Sequence, residues 1–177
     1  MSKVFFTALL FLFCVLPGTA QKLVPFTVNL QPKDKVNSYL SIAQQKVYTP
    51  AEAKSNKAAV DIALVITESG NRQVMEWYNM TGKDNKIPEE LRGTATGIAA
   101  LSWDKELFEK CTTSEDLKRM TGHITNNSFV HFGSITDDIA AGVKYHCFLL
   151  QMENGKRALL WLEAADGSNF KAMLKAQ

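Results

Sequence analysis

Hydrophobic and polar positions alternate most cleanly at the end of the chain, where Phe170, Ala172, Leu174 and Ala176 interleave with Lys171, Met173 and Lys175. A period of two predicts a strand over 169–176 with one face on a core and the other toward water. Two apolar runs precede it, 143–152 and 157–165, and both read as strands. Asn154-Gly155 between them is a strong hairpin signal, and Asp166-Gly167-Ser168 makes the next turn. Strands joined by such short connections must pair antiparallel, because a parallel return needs a long crossover. The last third of the chain is therefore expected to be a three-strand meander.

Earlier segments are less regular. Tyr39 to Ala43 and Lys46 to Tyr48 read as two short strands turning at Gln44-Gln45. Thr49-Pro50-Ala51-Glu52 is a helix start: Thr49 caps, Pro50 suits the first helical position, and Glu52 reaches back to the cap. That helix is expected to run to about Lys57. Val60 to Thr67 follows, with Val60, Ile62, Leu64 and Ile66 on one face and apolar Ala63 and Val65 on the other, the pattern of a central strand covered on both sides. Asp61 at its start is a carboxylate among apolar neighbours. It is expected to accept hydrogen bonds from backbone N–H groups or a hydroxyl near the Thr49 helix, so that Asp61→Asn would lower thermal stability. Residues 68–98 are weakly specified, apart from a turn at Ser69-Gly70-Asn71 and a polar loop at 81–85. Ser102 is read as the cap of a helix carrying Trp103, Leu107 and Phe108. Thr113-Ser114-Glu115-Asp116 opens another helix, stopped by Gly122.

These elements define an α+β fold. Its sheet is expected to be mainly antiparallel, with the C-terminal meander and two or three short helices on one face. The expected organisation is a signal peptide at 1–20, an N-terminal arm at 21–37 and a single domain at 38–177.

Ser38-Tyr39-Leu40-Ser41, Val47-Tyr48-Thr49, Glu52-Ala53, Asn56 and Val60-Asp61-Ile62 resemble the opening of a domain of unknown function found in secreted and surface proteins of Gram-negative bacteria. Asn154-Gly155-Lys156-Arg157-Ala158-Leu159-Leu160 and Met173-Leu174-Lys175-Ala176-Gln177 resemble its closing hairpin and strand. The chain departs from that pattern at Gln44-Gln45, where a glycine turn is expected, and at Arg157-Ala158. The resemblance spans roughly residues 36–177. It implies export and an α+β module, and it carries over no catalytic residue.

Charge and composition narrow the function. Within the first 20 residues Lys3 is the only charge, Val4 to Leu16 is an apolar run broken by Thr7, and Gly18-Thr19-Ala20 offers small residues for cleavage after Ala20. The run is shorter than the roughly 20 residues a membrane helix needs. The protein is thus expected to be exported, periplasmic or extracellular, without stable membrane insertion. Cys14 raises a lipoprotein alternative, against which Phe13 stands where that processing needs a small residue. With 20 basic and 18 acidic side chains in all, the chain lacks the concentrated positive field of a nucleic-acid binder. Export leaves Cys111 and Cys147 two readings, one disulfide or two buried thiols.

Candidate chemistry is sparse. No phosphate loop, Gly-x-Ser-x-Gly elbow or His-Glu-x-x-His helix occurs. His131, His146, Cys147 and Asp137 are the candidate zinc set, without the close spacing typical of such sites, and His123 follows a helix stop. Cys147 or Cys111 would need a histidine base to act as a nucleophile. Strand alternation points His146 away from Cys147. Asp137-Asp138 is a candidate calcium pair and equally a turn or helix cap. Trp77, Tyr78 and Trp103 are a candidate sugar platform and equally core, whereas Trp161 reads as core. Asn79-Met80-Thr81 and Asn126-Asn127-Ser128 match the N-glycosylation pattern, bare in a bacterial protein.

No side chain is assigned a catalytic, cofactor-binding or metal-binding role. The sequence favours an exported, non-catalytic binding or structural module for a protein or glycan ligand. The alternative is a small secreted hydrolase whose site is assembled from distant residues. A cleft holding a perturbed carboxylate or histidine would favour the hydrolase, and a flat, evenly solvated surface the module.

Overall fold

A computed structural model describes residues 20–30, 37–165 and 169–177. Residues 1–19 of the expected signal peptide, the polar run 31–35 and the turn expected at 166–168 lie outside the described residues. Two antiparallel sheets of five strands each are formed. The first contains β1 (Val24–Leu30), β6 (Gly97–Leu101), β8 (Cys147–Gln151), β9 (Arg157–Ala164) and β10 (Phe170–Ala176), in the order β1-β10-β9-β8-β6. The second contains β2 (Ser38–Ser41), β3 (Lys46–Tyr48), β4 (Ile62–Ser69), β5 (Arg72–Asn79) and β7 (Phe132–Thr136), in the order β3-β2-β4-β5-β7. The helices are α1 (Pro50–Ser55), α2 (Lys105–Lys110) and α3 (Ser114–Met120).

The expected meander is present: β10 pairs with β9 and β9 with β8, all antiparallel. Gly155 at φ +79° closes the β8–β9 hairpin, where Met152 N–H donates to Lys156 O at 2.9 Å. Alternation along the strands builds the core. Phe170, Ala172 and Leu174 face inward with Leu160, Leu162, Phe148 and Leu150 of the neighbouring strands. They meet Leu40, Ile62, Leu64, Met75 and Trp77 of the second sheet, so the main core lies between two sheets. Burial of each such side chain contributes about 1.5–3 kcal/mol, which makes this interface the main support of the fold. Gly133, paired with Trp77 in register, is required by the other sheet: an added Cβ would come within 3.0 Å of Ile98 and Phe148.

Three expectations are corrected. The helices do not share one face of one sheet. Phe108 and Leu117, on α2 and α3, join the cluster on the outer face of the first sheet, whereas Ala53 of α1 joins the cluster outside the second. Two sheets expose two outer faces, each apolar enough to need its own cover. The arm expected at 21–37 is not an appendage: β1 pairs with β10 from Val24↔Ala176 to Leu30↔Phe170, and Val28 and Leu30 belong to the main core. The outward face of β10 is not simply solvated, since Met173 packs on the outer cluster and Lys175 bonds to the end of α2.

The central position of β4, between β2 and β5, agrees with its two apolar faces. Val60 precedes the strand and packs outside the second sheet instead of sharing the face of Ile62. At the helix starts, Thr49 with Glu52 and Thr113 with Asp116 form capping boxes, as their spacing predicts, while Asp104 rather than Ser102 caps α2.

Candidate functional site

Six separated segments meet at one end of the two sheets and line a cleft of about 530 Å³. Its apolar lining includes Val24 at the start of β1, Ile42 and Ala43 after β2, Met152 after β8 and Ala176 near the end of β10. Its polar lining comes from Asp61, Thr94, Thr96, Glu153 and Lys156, with Gln45, Asn154 and Gln177 beside them. No aromatic ring is among the described residues that line it.

Asp61 is placed by pairing that begins before β4. Its N–H donates to Leu40 O at 2.9 Å, and its Oδ2 accepts the Ile42 N–H at 2.7 Å. The carboxylate thus holds the turn after β2, not the Thr49 helix, which corrects the expected partner while keeping the expected kind of bond. Burial raises the Asp61 pKa above the ordinary aspartate value of 3.8; the Ile42 N–H opposes the shift and the negative charge of Glu153 adds to it. Thr94 Oγ1 donates to Val60 O at 2.7 Å, tying the segment before β6 to the segment before β4. One residue further, Ala95 N–H donates to Glu153 Oε1 at 2.7 Å, which fixes the exposed tip of the β8–β9 hairpin at the rim.

Thr96 comes next in this extended segment. Its side chain is fully buried, and its Oγ1 has no hydrogen-bond partner among the described residues. A buried hydroxyl without a partner costs about 1–3 kcal/mol, so native structures rarely keep one without a use. Lys156, also at the rim, forms no ion pair among the described residues. The cleft therefore presents two carboxylates, one ammonium and the amides of Gln45, Asn154 and Gln177 beside an aliphatic wall, with the buried hydroxyl of Thr96 behind its lining. A larger and more open groove beside α3 contrasts with it. There Arg157 is engaged by Gln151 and Thr121 and lies over the Phe129 ring, and Arg119 is paired with Asp116.

Most residues singled out by sequence lie elsewhere. His131 Nε2 contacts Asp84 Oδ2, and His146 Nδ1 lies 2.9 Å from Leu162 O with its ring stacked on Trp161. His146 precedes β8, so strand alternation does not govern it, and its bond to Leu162 fixes its direction instead. Asp137 pairs with Lys144 at 2.7 Å, while Asp138 caps the turn at 139–141 through Ala140 N–H. No three metal-ligating side chains converge among the described residues, so the candidate zinc set is not brought together. Cys111 and Cys147 are free thiols buried in one cluster outside the first sheet. Burial pushes their pKa values up to about 11 and about 12, away from the thiolate a nucleophile needs.

The candidate sugar platform is dispersed. Trp77 is core, Tyr78 is buried and stacks on Phe132, and Trp103 packs against the outer cluster of the first sheet. Asn79, the first glycosylation candidate, is buried with its Oδ1 bonded to the Thr81 N–H and hydroxyl.

Among the cleft's charged residues and Thr96, Asp61 alone had a sequence signal of its own, a carboxylate in an apolar strand. Glu153 carried only its place beside the Asn154-Gly155 turn, and nothing local marked Thr96. The frame around this cleft is a pair of antiparallel sheets with helices on both outer faces, a sheet-rich α+β architecture. Compared with family models, curated proteins and solved structures, the chain matches none.

Proposed function

We propose that the protein is an exported binding module that takes a small ligand into the cleft at the end of the two sheets. The observation that carries this reading is Thr96: a fully buried hydroxyl with no partner, in a cleft that two carboxylates also line. A group left unsatisfied just behind a cavity wall becomes a hydrogen bond available to a guest once its side chain turns toward the cavity. The apolar run at 4–16, the small residues before Gln21 and the resemblance to secreted modules support export. A glycan is a poorer guest than a small aliphatic molecule, because the described lining has no ring on which a sugar face would stack. Titrating the purified protein with small cationic, neutral and anionic molecules, while following backbone amide resonances, tests the reading. Saturable shifts confined to residues around Ile42, Asp61 and Thr96 are expected, and shifts that avoid them would remove it.

A second reading, the small secreted hydrolase, is favoured by one observation. Asp61, with its raised pKa, shares the cleft with a second carboxylate, an arrangement that acid catalysis uses. Both carboxylates accept a backbone N–H and hold the cleft wall, which favours binding. Chromogenic ester and glycoside hydrolysis that is lost in Asp61→Asn would reverse this preference.

A further inference from the structure

We infer that the cleft selects a small aliphatic primary amine, held through its ammonium group by Asp61, Glu153 and Thr96. This rests on the cleft being the ligand site and adds the chemistry of the guest. Among the described residues, the Asp61 carboxylate accepts one hydrogen bond, from Ile42 N–H to Oδ2, and the Glu153 carboxylate accepts one, from Ala95 N–H to Oε1. Each has acceptor capacity left, and Thr96 Oγ1 has no partner. An ammonium has three donors and no acceptor, which matches three acceptors drawn from three segments.

Charge favours the same guest. The two carboxylates outnumber the single ammonium of Lys156, so an anionic guest would be repelled and a cation attracted. A neutral alcohol supplies one donor and would leave the remaining acceptors as they are. Below the polar groups, Val24, Ile42, Met152 and Ala176 form an aliphatic wall for a short alkyl chain. The described lining has no aromatic ring, so the cage that would recognise a quaternary ammonium is missing. About 530 Å³ is space for a small molecule, not for a folded partner.

The test uses three probes with matched tails, n-butylamine, n-butanol and n-butyrate, titrated into the purified protein at neutral pH. Amide resonances of Ile42, Ala95 and Thr96 report the site. Butylamine is expected to shift them saturably, with butanol at least about tenfold weaker and butyrate without effect, since a charge-assisted hydrogen bond is worth roughly a tenfold change or more. Asp61→Asn and Glu153→Gln should each weaken butylamine by about tenfold. Lys156→Met should tighten it by removing the one competing cation, and this exposed position does not endanger folding. Affinity should fall as pH drops through the Asp61 pKa, with Glu153 and Lys156 the other titrating groups on the cleft.

Butanol or butyrate shifting the same amides as strongly as butylamine would overturn the amine inference and leave the cleft as a binding site. If no probe moves these resonances, or if Lys156→Met leaves butylamine affinity unchanged or weakens it, the amine inference also falls. Probe-induced shifts confined to another surface would overturn the cleft reading as well.

Discussion

Two places in this protein bury polar groups beside apolar walls, and they balance their hydrogen bonds in opposite ways. Outside the first sheet, Lys175 extends from β10 to the end of α2, and its Nζ donates to Phe108 O at 2.7 Å, Glu109 O at 3.0 Å and Cys111 O at 3.1 Å. All three ammonium protons are used, and the charge lies 4.6 Å from the centre of the Phe108 ring. Burial lowers the Lys175 pKa, yet the carbonyls it meets are the ones a helix end leaves without partners. At the cleft, Thr96 is fully buried, more deeply than the half-buried Lys175, and has no partner among the described residues, while two carboxylates line the same space. A closed account of donors and acceptors marks a structural contact; an open one at a cavity marks a place for a guest.

Lys175→Met is the strongest way to break the closed side. The methionine keeps most of the aliphatic stem but deprives three carbonyls of their donor. A loss of about 2 kcal/mol is expected, read as a lower urea midpoint with unchanged slope. An unchanged midpoint would show that water serves these carbonyls equally well.

Asp61 separates the two roles of a single side chain. Asp61→Ala leaves the buried Ile42 N–H without its acceptor and should cost about 1–2 kcal/mol. Asp61→Asn keeps an acceptor and removes a charge that burial disfavours. A carboxyl whose pKa is raised on folding loses stability as pH rises from the unfolded value, near 3.8, through the raised folded value. The asparagine variant should therefore lack this pH dependence and be no less stable than the parent at neutral pH. This reverses the expectation drawn from sequence, which took the hydrogen bonds to outweigh the cost of burying the charge.

The cap of α3 belongs to the closed side and should respond to acid with the opposite sign. Thr113 Oγ1 accepts the Asp116 N–H at 3.1 Å, and Asp116 Oδ2 accepts the Thr113 N–H at 3.1 Å. The hydrogen bonds from Thr113 and Thr112, with Arg119 beside them, hold the Asp116 carboxyl well below its usual range. Its contribution is present above pH about 3.8 and is lost as pH falls toward the depressed folded value. Thr113→Ala should cost about 1 kcal/mol in thermal denaturation, and Asp116→Asn should flatten the acid limb of the stability curve.

How far each region could be read in advance follows from the range of its interactions. The capping boxes at Thr49 and Thr113, the Asn154-Gly155 hairpin and the inward set Phe170, Ala172 and Leu174 were legible because each is decided within a few residues. The middle strands β5, β6 and β7 were not. Only the Ser69-Gly70-Asn71 turn hinted at β5, and the short strands β6 and β7 carry glycines at Gly97 and Gly133 that weaken a strand signal. Those glycines are needed because Phe129 crowds one position and Ile98 and Phe148 crowd the other, contacts no local window contains. The cleft was less legible still, since Ile42, Asp61, Thr96 and Glu153 become neighbours only when both sheets are built. The histidines and tryptophans drew attention by residue type, yet Trp77 is buried by its place in the core between the two sheets.

The smallest stability effect gives the sharpest comparison. Thr96→Val replaces a hydroxyl by a methyl group of nearly the same shape. Were the hydroxyl part of a satisfied network, the change would cost about 1 kcal/mol, as it does for a typical internal hydrogen bond. Here Oγ1 has no partner among the described residues, so the valine removes an uncompensated buried dipole and adds apolar contact. The thermal midpoint should stay level or rise slightly, while the butylamine response of the Ile42 and Ala95 amides weakens. A stabilised protein that binds less well would mean that Thr96 is retained for its guest at the expense of the fold. A clear drop in the midpoint would instead mean that its hydroxyl has an internal partner, and the contrast with Lys175 would disappear.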